Sequence, residues 1–127
     1  MRVAVDTSYV VDLLRGNHGN ALRLAACERV YLSLFVLAEL RAGCLASRHG
    51  AGNEQLLRRF QMQPNVELLL PDSGTADHFA QLWLQLQKAG TPIPTHDVWI
   101  AALALQHQLV LLTGDAHFAR IPQLVLA

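Results

Sequence analysis

The sequence has few of the features that mark membrane, secreted or nucleotide-binding proteins. No uninterrupted apolar stretch approaches the roughly 18 residues of a membrane-spanning helix, and Asp6 interrupts the N-terminal apolar run too early for a secretory signal. The only two cysteines, Cys27 and Cys44, form no CxxC motif, so we expect reduced thiols in a cytoplasmic protein without membrane association. The absence of a glycine-rich phosphate loop argues against a nucleoside-triphosphate enzyme.

Charge is also balanced. Ten basic and ten acidic residues give a formal net charge of +0, so no global field attracts nucleic acid, and a polyanionic partner would need a local basic patch. Lys88 is the only lysine and lies in a predicted helix. A phosphoacceptor receiver domain would need a lysine at a strand end, so this class is disfavoured.

Short apolar strands alternate with longer helical segments along the 127 residues, and no linker or internal repeat interrupts them. We therefore expect one domain spanning residues 1–127. The predicted strands are 2–6, 29–33, 66–70, 109–113 and a last short one at 124–126. The predicted helices are "TSYVVDLLR", "NALRLAACE", "LFVLAELRAGCLA", residues 53–63, "TADHFAQLWLQLQKAG" and "THDVWIAALALQHQ". This alternation predicts a three-layer α/β/α sandwich around a mostly parallel sheet of four to five strands.

Polar side chains at the predicted helix starts are candidate N-caps. Thr7 or Ser8 is expected to cap the first helix, Ser33 the third, and Asp72 or Ser73 the fifth.

Three aspartates stand where strands end or a helix begins. Asp6 follows the first strand, Asp115 follows the strand at 109–113, and Asp97 lies in the first turn of the helix between them. Each has an ordinary explanation taken singly: a helix cap, a turn residue, or a favourable charge at a helix dipole. However, ligands of open parallel sheets bind outside the carboxyl ends of the strands, so we expect the three side chains to share one edge.

Glu39 is a fourth candidate. It lies among apolar residues in "LFVLAELRAG", in a helix that looks mostly buried, and Arg41, two residues further along, points to nearly the opposite side of the helix. A buried carboxylate without a partner is costly. Either Glu39 serves a functional site, or it lies at an edge of the helix with its carboxyl group in water.

Clustered carboxylates need a counter-charge. Two of them about 4 Å apart repel by roughly 4 kcal/mol at an effective dielectric constant near 20. A hard divalent cation such as Mg²⁺ or Mn²⁺ would relieve this repulsion, which points to metal-assisted phosphoryl chemistry. Thr113 is placed to support the acids by hydrogen bonding. We expect His96 to be exposed at its helix start, and His117 to pack or to contact RNA without a catalytic role.

These motifs resemble a known family. "VAVDTSYVVDLL", "LSLFVLAELRAG" and "PIPTHDVWIAALALQHQLVLLTGDAHFARIPQL" are similar, in this order, to segments of PIN-domain ribonucleases, specifically VapC-type toxins of bacterial toxin–antitoxin pairs. The resemblance covers nearly the whole chain. It places Asp6, Glu39, Asp97 and Asp115 on the acidic quartet of the family, and Thr113 on the hydroxyl that accompanies the last acid.

The resemblance implies an endoribonuclease that depends on Mg²⁺ or Mn²⁺, with one or two ions held by Asp6, Asp97 and Asp115. Glu39 would bind metal or order water. The implied partners are an RNA substrate, a cognate VapB-type antitoxin and a second copy of the chain in a homodimer. Two alternatives stay open: a PIN-fold module that binds RNA or protein without cleavage, and a housekeeping RNA-processing or DNA-structure nuclease. Loss of an acid would mark the former, and none is lost here.

Overall fold

A computed structural model describes all 127 residues, and the expected sandwich is confirmed. Four parallel strands form one sheet in the order β3-β2-β1-β4. The strands are β1 Arg2–Val5, β2 Arg29–Ser33, β3 Val66–Leu69 and β4 Val110–Leu112. The helices are α1 Thr7–Leu14, α2 His18–Ala25, α3 Leu34–Ala46, α4 Gly50–Gln61, α5 Ser73–Lys88 and α6 Thr95–Gln106, followed by a short 3-10 helix, Ala116–Arg120.

The carboxyl ends of β1 and β4 lie side by side and form the edge of the sheet at which the predicted acids stand. Val5 of β1 lies beside Leu112 of β4 in parallel register, so the residues that follow both strands emerge side by side. The Asp6 amide continues this pairing by donating to the Leu112 carbonyl at 3.2 Å. The strands are apolar on both faces because helices cover both sides of a parallel sheet. Val3, Val5, Leu111 and Leu112 are accordingly almost fully buried.

Polar caps define where the helices begin. Ser33 caps α3 by accepting from the Val36 amide at 3.2 Å, as predicted. Asp72 caps α5 and forms a reciprocal capping box with Thr75. Gln106 at the end of α6 donates to the Asp72 carboxylate at 2.7 Å, so the same cap ties α5 to α6.

Several details differ from the sequence-based expectations. Helix α2 ends at Ala25, three residues before the end of the predicted segment "NALRLAACE". Asp6, rather than Thr7 or Ser8, caps α1, because the extended backbone at Asp6 aims its carboxylate at the Tyr9 amide. Helix α4 begins at Gly50, three residues before the predicted start.

The predicted strand at 124–126 is only an isolated bridge between Leu126 and Leu111. A turn and a bend occupy residues 122–124, and only two backbone hydrogen bonds join the segment to β4: the Leu111 amide donates to the Val125 carbonyl at 2.9 Å, and the Ala127 amide donates to the Leu111 carbonyl at 3.2 Å. No helix has the length and apolar character that crossing a membrane requires.

The packing of β4 generates a stability prediction. Leu111 is 0% exposed and Leu45 on α3 is 89% exposed, so the same substitution should be costly at the first position and nearly neutral at the second. We expect Leu111→Ala to lower the free energy of unfolding by about 2–5 kcal/mol, through lost burial and the cavity left behind. The matched control Leu45→Ala should change it by no more than about 0.5 kcal/mol. Urea unfolding measures both, and equal losses would contradict this assignment of the core.

Candidate active site

Asp6 lies at the carboxyl end of β1 and is only 3% exposed. Its carboxylate accepts the Tyr9 amide at 2.9 Å and the Ser8 hydroxyl at 2.9 and 3.0 Å, and it also accepts the Thr113 hydroxyl. Burial raises the pKa of Asp6; the hydrogen bonds from Thr113, Tyr9 and Ser8 oppose the rise, and the nearby Asp115 carboxylate adds to it. Asp6 is thus both the helix cap and a member of the acidic edge.

Thr113 connects two of the predicted acids. Its hydroxyl donates to Asp6 Oδ2 and accepts the Asp115 amide at 2.9 Å. Asp115 in turn begins the 3-10 helix, with Oδ1 accepting the His117 amide at 2.9 Å. A single hydroxyl at the end of β4 therefore fixes Asp6 and the backbone of Asp115 relative to each other, in the supporting role expected for Thr113.

Asp97 reaches the same edge from the first turn of α6, which follows the "TPIP" loop. Its side chain is 15% exposed. Burial raises the pKa of Asp97, a hydrogen bond from His117 opposes the rise, and the Asp115 carboxylate adds to it. The first turn of the helix thus supplies a half-buried carboxylate whose charged form is disfavoured.

His117 lies between the two carboxylates. Its Nδ1 is 3.1 Å from Asp97 Oδ2 and 3.2 Å from Asp115 Oδ1. One ligand-type atom of each of these three residues lies within 4.8 Å of the others. His117 was expected to pack or to contact RNA, and instead it pairs with two of the acids. The sequence did contain one signal for this contact. His117 lies two residues after Asp115, and a turn capped by that aspartate brings the histidine ring close to the capping carboxylate.

Glu39 is not buried, although its apolar neighbours suggested that it was. Its side chain is 46% exposed, and Oε2 lies 3.3 Å from His96 Nε2 without forming a hydrogen bond of good geometry. The carboxyl group of Glu39 therefore lies at an edge of α3 and reaches water, so burial gives no argument for a functional role, and its place in the site stays a prediction. His96 is not the exposed helix-start residue that was expected: its side chain is 31% exposed because it faces Glu39.

The donor set fits a divalent cation. Asp97, Asp115 and His117 offer two carboxylate oxygens and one nitrogen, and Asp6 adjoins them through Thr113. No lysine or arginine forms a salt bridge with Asp6, Asp97 or Asp115, and His117 is the only basic side chain that pairs with this cluster. The negative charge at this edge is therefore not balanced by a fixed protein cation, and oxygen-rich sites of this kind suit hard divalent ions.

The comparisons with known proteins agree with this geometry. The family model of the PIN domain matches residues 3–124. Ribonuclease VapC5 of Mycobacterium tuberculosis (strain ATCC 25618 / H37Rv) is 33% identical over 94 residues, which cover 74% of this chain and 70% of that protein. Ribonuclease VapC1 of Haemophilus influenzae (strain R2866) is 29% identical over 126 residues, which cover 94% of this chain and 92% of that protein.

Solved structures show the same fold. A VapBC structure from Salmonella typhimurium bound to DNA matches with a TM-score of 0.91 and 25% identity, covering 100% of this chain and 97% of that chain. VapBC2 from Rickettsia felis, bound to a promoter DNA fragment, matches with a TM-score of 0.88 and 26% identity, covering 100% and 98%. This chain belongs to the PIN-domain family and, within it, to the VapC ribonucleases.

Proposed function

We propose that the chain is a Mg²⁺- or Mn²⁺-dependent endoribonuclease toxin that cleaves phosphodiester bonds in RNA and is neutralised by a cognate VapB-type antitoxin. The observation that carries the proposal is the convergence of Asp6, Asp97 and Asp115, from three separate segments, on one sheet edge of a VapC-family chain. We propose that residues 1–127 act as a single PIN domain in the cytoplasm.

Asp6, Asp97 and Asp115 would hold one or two metal ions. Asp6 can bind a metal ion in addition to capping α1. An ionised carboxyl group has about four lone-pair sites, and only three hydrogen-bond donors contact this one. When bound, the metal supplies positive charge to the phosphate group and lowers the pKa of water.

The other residues of the edge position these groups. Thr113 holds Asp6 and the Asp115 backbone in register through its two hydrogen bonds. Glu39 stands at the solvent-exposed rim beside His96, where we propose that its carboxylate binds and orients a water molecule or accepts a proton. These roles require a rigid frame, which strand ends and helix starts supply better than a loose loop.

An antitoxin segment would complement the charge of the site. We propose that it presents an arginine to the carboxylates, because the guanidinium fork pairs well with carboxylate geometry. A groove lined partly by Thr7, Val11, Glu39 and Cys44 leads away from the rim between α1 and α3 and offers space for such a segment. Solved relatives are VapBC assemblies, which agrees with this partner.

We also propose that the chain forms a homodimer, as the family resemblance implies. Trp83 and Leu84 on α5 are each 48% exposed, and this apolar surface is available for a second copy. Light scattering of the purified protein should give twice the mass of the 14.0 kDa chain. A monomeric mass at micromolar concentration would contradict this part of the proposal.

Replacing Asp97 by asparagine tests the proposed chemistry. Even residues that only support metal ligands contribute about 10–100-fold to affinity or activity, so loss of a direct ligand should slow RNA cleavage by at least about a hundredfold. The measurement is cleavage of RNA in Mg²⁺ and in Mn²⁺. The control Asp77→Asn removes the same charge from the exposed surface of α5 and should cleave at the wild-type rate. Wild-type cleavage by Asp97→Asn would refute the site.

The raised pKa of Asp97 predicts that the substitution that slows cleavage, Asp97→Asn, stabilises the metal-free protein. The folded state disfavours the ionised carboxylate, so above the folded pKa its charge destabilises the metal-free protein. Asp97→Asn should therefore raise the Tm without metal at pH 7. The gain should shrink as the pH falls through the raised pKa towards the ordinary value of 3.8, because wild-type Asp97 then becomes neutral too. A gain that does not change with pH would show that charge is not its cause.

The toxin assignment predicts growth arrest. Expression of the wild-type chain alone should stop growth, because uncontrolled RNA cleavage depletes essential RNA. Expression of Asp97→Asn at the same soluble level should not, and co-expression of the cognate antitoxin should restore growth to the wild-type chain. Normal growth with abundant soluble wild-type protein would count against a toxin and favour a non-cleaving binding module.

A further inference from the structure

We propose that His117 is a ligand of the metal site, and that its imidazole nitrogen makes this site prefer Mn²⁺ over Mg²⁺. The inference deepens the proposed function and rests on it, because it takes the carboxylate edge as the place where metal binds. His117 would then contact the metal directly, a role that its sequence position did not predict.

The spacing of the three donor atoms supports this assignment. His117 Nδ1 lies 3.1 Å from Asp97 Oδ2 and 3.2 Å from Asp115 Oδ1. Adjacent ligand atoms on an octahedral ion with bonds of about 2.1 Å are about 3.0 Å apart. The nitrogen and the two oxygens can therefore occupy neighbouring positions on one ion with only small shifts of their side chains.

The backbone holds His117 in this place. Its amide donates to Asp115 Oδ1 at 2.9 Å, and the Asp115 amide donates to Thr113 at 2.9 Å, so the 3-10 helix is fixed to the end of β4. The next residue, Phe118, is 0% exposed and anchors the segment in the core. The His117 side chain itself is 39% exposed, which leaves room for an ion and its water molecules to reach the ring.

His117 is also the only imidazole in the cluster. The ring nitrogen Nε2 of His96 faces Glu39, and His96 does not belong to the group of three possible ligands. One nitrogen and several carboxylate oxygens thus form the proposed donor set. Mg²⁺ takes oxygen ligands almost exclusively, whereas imidazole suits first-row transition ions, so replacing one oxygen by nitrogen favours Mn²⁺.

The test uses Mn²⁺ alone as a paramagnetic probe, without RNA or antitoxin. Electron spin echo modulation should show a nitrogen coupled to Mn²⁺ in the wild-type protein, and Mg²⁺ competition should give the ratio of the two affinities. His117→Ala should lose the nitrogen signal and bind Mn²⁺ at least about tenfold more weakly, with a smaller change for Mg²⁺. His117→Gln, which offers an amide oxygen, should also lose the signal but regain part of the Mn²⁺ affinity.

The control is His18→Ala, which removes an exposed histidine at the start of α2 and should keep both the signal and the metal preference. Circular dichroism establishes that each variant is folded. A nitrogen signal that persists in His117→Ala, or wild-type protein that binds Mn²⁺ without one, would overturn the inference. The second result would show that His117 is only a hydrogen-bonding partner of the carboxylates.

The results that would contradict the proposed function differ from those that would contradict the ligand assignment. RNA cleavage supported by Mg²⁺ in a protein without the nitrogen signal would overturn the ligand assignment and leave the ribonuclease standing. A nitrogen signal that depends on His117, in a protein that cleaves no RNA, would support the ligand assignment and overturn the proposed function. Wild-type protein that binds neither ion would overturn both.

Discussion

Repulsion between carboxylates at one sheet edge is the constraint on which the rest of this structure depends. Asp97 and Asp115 offer oxygens within 4.8 Å of each other, and Asp6 is attached to the same edge through Thr113. Charges at about 4 Å repel by roughly 4 kcal/mol near the surface of a protein. The fold must therefore hold the acids together by other means, and the hydrophobic packing of β1 and β4 beneath them supplies the rigid base.

The sequence was sufficient to predict the sheet and most of its polar caps, since these depend on local patterns. Apolar runs bounded by turn residues located all four strands within one or two residues. The position of Asp6 after such a run predicted that it would lie at a strand end. A helix cap was one of the ordinary explanations open for Asp6, and the extended backbone at that residue selects it as the cap of α1 over Thr7 and Ser8.

The exposure of Glu39 and the contact of His117 could not be decided from the sequence, because both depend on how separate segments pack against each other. Helix α3 looked mostly buried because its residues are largely apolar, yet the side chains of Leu34 and Leu45 are 41% and 89% exposed. Its buried face consists of Val36, Leu37 and Leu40, and Glu39 lies outside it. The pattern around the helix therefore concealed which side faces solvent. The contact of His117 with Asp97 spans 20 residues and depends on how α6 and the 3-10 helix meet, which no local spacing determines.

Each acid of the edge also has an ordinary structural role, and these roles offset part of the repulsion within the cluster. Asp6 caps α1, and Asp97 lies in the first turn of α6, so both are near the positive ends of helix dipoles. Such placement stabilises a charge by about 0.3–1 kcal/mol, or up to about 2 kcal/mol when it is partly buried. These contributions offset part of the cost of holding the charges here; burial, the largest cause, still raises the pKa of both residues, and the Asp115 carboxylate adds to the rise. The remaining imbalance is what a divalent cation, or an arginine from a partner, would neutralise, so the caps that help the chain to fold also keep its edge ready for a positive ligand.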